Sequence, residues 1–482
     1  MVDYYSTNSK EGKRVSFEEA LLIGLAPDYG LYMVERSEVP KFSEEELESL
    51  KGKKYSEIAY AVLSKYLLSE IPEQDLKPLL IDAYLEEKIP TKVQKVNDTT
   101  QIMWLTKGPT YSFKDYAARF FGRTLNYFLG KRNLRRVVVV ATSGDTGGAV
   151  ADALHGLDNV DNIVFFPKGS ISEGQRKQMT TLKQNIYAFE VEGDFDVCQS
   201  LAKNLLGDKD FAKEVFNDEA RLTSANSISL GRLLPQSVYP FYAYSIVGEK
   251  FVASIPSGNF GDMMGTVLAK EMGLPITKII CGVNENKEFP VFLDTGKYVV
   301  SASVKSPSSA MIVSHPSNLA RLIDFYAGHM SDVRDEVTKK VTNPGVIDKM
   351  PNIKLMKEDL YSMSIDNETH YSTMKRVYEK ENVILDPHGS VGWRALEIYR
   401  ENNKEDQCVG VIYETADPGK FPKDVEKAIG IAPPLPKRMQ EQKESEERIF
   451  SINNAPDQTD QGLKLSDSQI IEAKQKIKEL FV

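Results

Sequence analysis

The spacing of apolar and polar positions changes along the chain. Residues 1–95 carry helical spacing. "SFEEALLIGLAP" opens with the Ser16-x-x-Glu19 pattern of a capping box, and "SEEELESLKGKKYSEIAYAVLSKYLLSEI" continues with apolar positions one helical turn apart. Pro90 and "KVNDTTQIMWLTKGP" then predict extended chain. From Arg136 short β-branched or aromatic runs alternate with amphipathic stretches. "RRVVVVATSGDTGGAVADALHG" reads as strand, glycine-rich loop and helix. "NIVFFPKG", "IYAFEVEG", "KFVASIPSG", "ITKIICGVN" and "DQCVGVIYE" read as further strands, and "SEGQRKQMTTLKQN", "FDVCQSLAKNLLG" and "GDMMGTVLAKEMG" as helices. Strands alternating with helices predict βαβ units and largely parallel sheets, an α/β fold. From about Ala432 the chain is charged, and "EQKESEERIF" and "SDSQIIEAKQKIKELFV" read as solvated or docking helices. The expected organisation is a mainly helical region over 1–95, α/β lobes over 96–235 and 236–430, and a charged tail over 431–482.

Composition narrows the classes. The chain has 482 residues, 27% charged and 41% hydrophobic, with a net charge of −9. That length supports more than one domain and a large core. An acidic balance with no basic block argues against nucleic acid or an anionic membrane as the main partner. No stretch is long and apolar enough to span a bilayer, and the polar start lacks an apolar signal core. Cys198, Cys281 and Cys408 are far apart and form no CxxC pattern, which fits reduced thiols in a cytoplasmic protein. The five histidines form no HExxH or Cys/His cluster, so no metal site is expected.

Candidate chemistry starts at "GPTYSFKDYAARFFG", where Lys114 stands between a Gly-Pro turn and a helix. A cation at a helix N-terminus is mildly unfavourable. Two readings stand: an exposed first-turn lysine, or an amine whose pKa is lowered for Schiff-base chemistry. Two loops each lie between a strand and a helix: Ser143-Gly144-Asp145-Thr146-Gly147-Gly148 and Pro256-Ser257-Gly258-Asn259-Phe260-Gly261-Asp262. Glycine lets backbone N–H groups approach an anion, and the helix dipole adds attraction. Each loop is either an anion cradle or an ordinary strand-to-helix turn. Neither spells Walker A or G-x-G-x-x-G.

"LTSANSISLGRLLPQ" places Asn226, Ser227 and Ser229 at a helix start, with Arg232 one turn after Ser229. This is either an anion clamp or an N-cap with a surface arginine. Thr415 comes just after the apolar strand that ends at Tyr413, where α/β proteins place ligand contacts, or it is a turn former. His315 and His388 read as packed or loop histidines and receive no chemical role.

Read together, these segments resemble the threonine synthases, pyridoxal-phosphate enzymes of the fold-type-II, tryptophan-synthase β-like group. "YYST", "SFEEALLIGLAPDYGLY", "GPTYSFKD", "ATSGDTGGAV", "FPKGSISEGQRKQMTTL", "VEGDFDVCQSLAKNLLGD", "SANSISLGRLLPQ", "PSGNFGD", "DPHGSVG" and "ETADPGKFP" occur in the family's order over roughly residues 3–430. The chain departs from the family's pattern at Lys107, where a histidine is usual, and at Ser229-Leu230. It departs again at Asp417-Pro418-Gly419, where His-Pro-Ala is usual.

The resemblance implies two parallel-sheet lobes with the active site in a cleft between them, and pyridoxal 5'-phosphate as cofactor. It implies that Lys114 forms the Schiff base and then shuttles protons. Gly258, Asn259, Phe260, Gly261 and Asp262 would hold the cofactor phosphate. Thr415 would meet the pyridine nitrogen, and Asp145 would lie near the phenolic oxygen. Ser143, Thr146 and Gly147 would bind the substrate carboxylate. Asn226, Ser229, Arg232 and Lys107 would receive the substrate phosphate. The implied reaction converts O-phosphohomoserine and water to threonine and phosphate, in a monomer or homodimer. A related phospholyase releasing a keto acid, and a non-catalytic small-molecule binder of the same fold, are the alternatives.

Overall fold

A computed structural model describes residues 2–337, 339–459 and 462–482. The chain divides into two compact units, one comprising 1–21, 25–117 and 227–434, the other 22–24, 118–226 and 435–482.

The first unit is built on a sheet of six strands among the described residues. Their order is Leu360–Ser364, Ile276–Val283, Phe251–Pro256, Val409–Glu414, Thr100–Trp104 and Lys92–Lys95. Every neighbouring pair is parallel except the last, a hairpin. The central strands Phe251–Pro256 and Val409–Glu414 are buried on both faces almost throughout, as parallel strands covered by helices must be. Ile102, Val252, Ile280 and Ile412 of this sheet pack against Met374, Val377, Trp393 and Leu396 of two covering helices, Asn367–Glu381 and Pro387–Asn402. The expected N-terminal helices form at Phe17–Ile23, Glu44–Glu48, Tyr55–Leu67 and Glu73–Ala83. The capping box is made: Glu19 N donates to Ser16 Oγ at 3.1 Å and Ser16 N to Glu19 Oε2 at 3.2 Å.

The second unit holds a parallel sheet of five strands among the described residues. Their order is Ile449–Ile452, Ile186–Val191, Val160–Pro167, Arg136–Ala141 and Leu222–Ser224. Val137, Val139, Ile163, Phe165 and Phe189 form its core with Leu201, Ala473 and Ile477.

Two features differ from the sequence reading. Ile449–Ile452, at the end of a segment read as helical, is a strand paired in parallel with Ile186–Val191. The run is too short to show period two, and only the open sheet edge makes it a strand. An antiparallel hairpin, His329–Arg334 with Val341–Lys349, gives no signal in alternation because nearly all of its residues are half-buried or exposed. No helix among the described residues is long and apolar enough to cross a membrane.

Candidate functional site

Three adjacent parallel strands of the first unit end at one sheet edge: Thr100–Trp104, Val409–Glu414 and Phe251–Pro256. Open parallel sheets place their ligands beyond the carboxyl ends of the strands. The first of these strands leads into the lysine segment, the second into Thr415 and the third into the Ser257–Asp262 loop. The topology therefore gathers three segments separated by more than a hundred residues each.

The lysine segment is locked to the Thr415 segment by backbone hydrogen bonds. Phe113 N donates to Thr415 O at 2.9 Å, Asp417 N donates to Tyr111 O at 3.0 Å, and Ser112 bridges Ala416 in antiparallel fashion. Tyr111 sits at φ 60°, a left-handed value that a tyrosine adopts only where its surroundings impose it. Lys114 is the first residue of the helix Lys114–Arg132 and is half-buried. Its Nζ lies 5.4 Å from the centre of the Phe113 ring. The turn before it is held from beneath: Tyr239 Oη donates to Phe113 O at 3.0 Å, Thr110 N donates to Asp115 Oδ2 at 2.8 Å and Lys420 Nζ to Thr110 O at 2.7 Å. Thr415 is 5% exposed.

The Ser257–Asp262 loop opens the helix Gly261–Glu271. A Cβ on Gly258 would stand 2.8 Å from the backbone oxygen of Ala310, so this position requires glycine, while one on Gly261 would displace the end of the Gln236 side chain. Phe260 takes φ 62°. Asn259 O accepts from Asn318 N at 3.2 Å and Nδ2 at 3.0 Å. Asp262 is 3% exposed, and burial pushes its carboxyl up to about 6, with Lys114 pulling the other way. Lys114 and Asp262 thus share one electrostatic neighbourhood.

Ser229 caps a short helix, Leu230–Leu233, that carries Arg232. Arg232 is not a surface arginine: it is 4% exposed, and burial lowers its guanidinium to about 10 against the opposing pull of Tyr239 and Asp115. Ser229 Oγ is buried and has no hydrogen-bond partner among the described residues. Sequence reasoning missed the residue that holds this segment. Fully buried Arg321 donates from Nη2 to Ile228 O at 2.6 Å, from Nη1 to Asn318 Oδ1 at 2.6 Å and from Nε to Tyr32 O at 3.0 Å. Through Asn318 it also reaches the Asn259 carbonyl. "SNLARLIDF" offers no pattern that separates such an arginine from a helix-surface one.

Lys107 is exposed, and its Nζ lies 3.0 Å from Asp417 Oδ2. Two of the departures noted in the sequence are thus partners in one ion pair. His315 lies outside this edge, bonded to Tyr298 Oη at 3.0 Å and paired with Asp332 at 3.2 Å.

In the second unit the turn Ser143–Gly147 lies between the strand Arg136–Ala141 and the helix Asp145–Leu154, whose first turn it forms. Thr142, not singled out in the sequence, organises it: its Oγ1 accepts from Gly144 N at 2.9 Å and Gly147 N at 2.8 Å. Gly144 takes φ 137°, and Asp145 Oδ1 accepts from Gln175 Nε2 at 3.0 Å. Ser143 and Asn226 are exposed, and Thr146 is half-buried.

Three family models match the chain: threonine synthase N terminus over residues 3–84, pyridoxal-phosphate dependent enzyme over 104–414, and threonine synthase C-terminal over 389–461. The chain is 35% identical to threonine synthase of Pseudomonas aeruginosa over 459 residues, covering 94% of this chain and 96% of that one. It belongs to the threonine synthase family. The family membership extends to other kingdoms: identity to the Saccharomyces cerevisiae threonine synthase is 34% over 467 residues, 88% of this chain and 89% of that one. Among solved structures, the pyridoxal-phosphate-bound threonine synthase from Brucella melitensis superposes with a TM-score of 0.86 at 29% identity, covering all of both chains. The yeast threonine synthase gives 0.86 at 29% identity over 100% of this chain and 99% of that one.

The chain is accordingly a pyridoxal-phosphate-dependent enzyme of this family, and its residues fit that cofactor. The loop Ser257–Phe260 leads into the helix Gly261–Glu271, and a helix start offers a phosphate N–H donors and a favourable dipole. Ser112 Oγ and Ser229 Oγ are buried without hydrogen-bond partners among the described residues, at the segments that would face cofactor and substrate. A half-buried lysine stands at the same sheet edge.

Proposed function

We propose that the chain converts O-phosphohomoserine and water to L-threonine and phosphate, using Lys114 as its catalytic amine. The observation that carries this is the backbone lock between Ser112–Phe113 and Thr415–Ala416 at the edge where the Gly258 loop also ends. It fixes an amine, a hydroxyl and an anion cradle on a common frame.

Pyridoxal phosphate, when bound, supplies an electron sink for the negative charge that develops at the substrate Cα. Lys114 would hold it covalently through Nζ. Gly258, Asn259, Phe260, Gly261 and Asp262 would hold its phosphate, and Thr415 Oγ1 would meet its ring nitrogen. A hydroxyl partner cannot hand over a full proton as a carboxylic acid can, so the ring stays close to neutral. Asp145 is assigned to the ring's oxygen. Lys114 Nζ would also take the proton from the substrate Cα and return it later, a general-base role suited to an amine at a helix start. Ser143, Thr146 and Gly147 orient the substrate carboxylate.

Arg232 and Ser229 bind the substrate phosphate. Arginine offers a planar fork to phosphate oxygens, and Ser229 brings a buried hydroxyl with no hydrogen-bond partner among the described residues. Asn226 joins them as a polar contact. Lys107 is already paired with Asp417, so it would add charge only by leaving that partner. The three free, separated cysteines fit a reducing compartment, and a cytoplasmic monomer or homodimer is the proposed state.

The test is product analysis with O-phosphohomoserine, scoring threonine, keto acid and phosphate together. Threonine and phosphate in equal amounts are expected. Phosphate with keto acid and no threonine would show a phospholyase, and no turnover with tight ligand binding would show a binder.

A further inference from the structure

His388 and Asp386 have no place in these roles, yet both are almost completely buried, at 2% and 0% exposure. They sit at the start of the helix Pro387–Asn402, with Asp386 as its cap. Asp386 Oδ1 accepts from His388 N and lies 2.6 Å from His388 Nδ1. His388 Nε2 accepts from Ala310 N at 3.1 Å. A backbone N–H can only donate, so Nε2 must be the bare nitrogen and Nδ1 must carry the proton. The ring is thereby fixed as a neutral tautomer with one donor and one acceptor, both engaged.

Each end of this pair touches a different part of the cofactor frame. Asp386 Oδ2 accepts from Ala416 N at 3.2 Å, directly after Thr415. Ala310 is the residue whose carbonyl stands 2.8 Å from the place a Cβ would take on Gly258. The Ser309–Met311 turn therefore backs the phosphate loop, and His388 holds that turn. A second histidine lies at the start of that turn: His370 Nε2 lies 3.0 Å from Ser308 Oγ, and its Nδ1 lies 2.7 Å from Asp366 O.

The groups packed around the pair are buried with it. Glu414, 0% exposed, accepts from Asp386 N at 2.8 Å, and burial with the Asp386 charge beside it pushes its carboxyl well above the ordinary range. Asp386 accepts hydrogen bonds from His388 and Ala416 on its two oxygens. The Phe421 ring closes the remaining side at 5.1 Å between centroids.

We propose that Asp386 and His388 form a positioning relay that ties the Thr415 turn to the backing of the Gly258 phosphate loop, so that the pyridine end and the phosphate end of the cofactor site are set by one buried pair. The relay rests on the assignment of the cofactor to Thr415 and Gly258 under the proposed function. Neither residue touches the cofactor in this scheme.

His388→Asn and His388→Gln separate the two links. The asparagine amide nitrogen reaches about where Nδ1 lies and can donate to Asp386, but nothing then reaches Ala310. The glutamine oxygen reaches about where Nε2 lies and can accept from Ala310, but the donor to Asp386 is lost. Cofactor-free protein of each variant is titrated with pyridoxal 5'-phosphate, with the visible absorption band, the phosphorus NMR signal of the bound cofactor and the melting temperature recorded. His388→Asn is expected to bind the cofactor about tenfold more weakly, the equivalent of one buried hydrogen bond, with a shifted phosphorus signal and an unmoved absorption band. His388→Gln is expected to shift the absorption band and leave the phosphorus signal in place. Wild-type affinity and spectra in both variants would overturn the relay. So would equal losses of affinity that track melting temperature with no change in either spectrum, since that is the mark of a purely structural histidine. Gly258→Val, run in parallel, keeps the two readings apart. If it loses the cofactor while the His388 variants do not, only the relay falls. If it binds normally, the phosphate-loop assignment falls and takes the relay with it.

Discussion

At the residue scale, burial decides what each candidate side chain can do. Arg232 shows this most clearly: in sequence it can be read as a surface arginine, and in the fold it is 4% exposed beside a buried hydroxyl. A charge-assisted contact to phosphate contributes roughly 1.5–3 kcal/mol, so Arg232→Ala should lower kcat/KM for O-phosphohomoserine by at least about tenfold. Binding of an analogue without phosphate should change little, and Arg232→Lys should recover only part because the fork is lost. Equal effects on both ligands would remove the phosphate role. Asp262 gives a pH prediction. Its carboxyl is raised from 3.8 to about 6 by burial. Between those two values the folded chain keeps a proton that the unfolded chain has lost, so stability falls as pH rises through that window and levels off above it. Asp262→Asn has no such titration. Denaturant titrations should therefore show the variant gaining on wild type from pH 4 to 7, by up to about 3 kcal/mol. A difference independent of pH would contradict it.

At the element scale, strand order does most of the assembly. Lys114, Thr415 and the Gly258 loop are distant in sequence, and each alone has a bland reading as a first-turn lysine, a turn threonine or a glycine turn. They come together because three neighbouring parallel strands end at one edge. The elements themselves are legible in the sequence: the strand–loop–helix runs at Arg136–Leu154 and Phe251–Glu271 come directly from β-branched runs, glycine loops and helical spacing. The supporting contacts are not. Arg321, Thr142 and the Ser112–Ala416 bridge depend on tertiary neighbours that no local pattern encodes. The two glycine loops can be told apart by substitution. Gly258→Val would press on the Ala310 carbonyl and close the bare backbone, so cofactor affinity should fall at least about tenfold with the fold retained. Gly147→Val would strike Thr142 and Met179 and should impair substrate binding while the cofactor still loads. Loss of cofactor from Gly147→Val alone would mean that the two loops have exchanged roles.

At the scale of the whole molecule, the charged C-terminal segment is part of a core and not an appendage. Ile449–Ile452 extends the five-stranded sheet, and the helix Asp467–Phe481 buries Ala473 and Ile477 against Leu201 and its neighbours. Its charge hides this, because a helix with one narrow apolar stripe reads as solvated until its partner surface is known. Ile477→Ala should cost about 2–5 kcal/mol in unfolding of the second unit, read from a calorimetric or denaturant transition. A change below about 0.5 kcal/mol, the scale of ordinary surface substitutions, would show that the helix is not held there.

The assignments at the candidate site depend on one bond, the proposed attachment of the cofactor to Lys114. Borohydride reduction of the loaded enzyme followed by peptide mapping tests it directly. The label is expected on the peptide containing Ser112-Phe113-Lys114-Asp115, and Lys114→Ala should carry no reducible cofactor while melting as a folded protein. A label on any other lysine, or an unchanged reducible band in Lys114→Ala, would contradict the placement of the catalytic amine and with it the site built around Thr415 and Gly258.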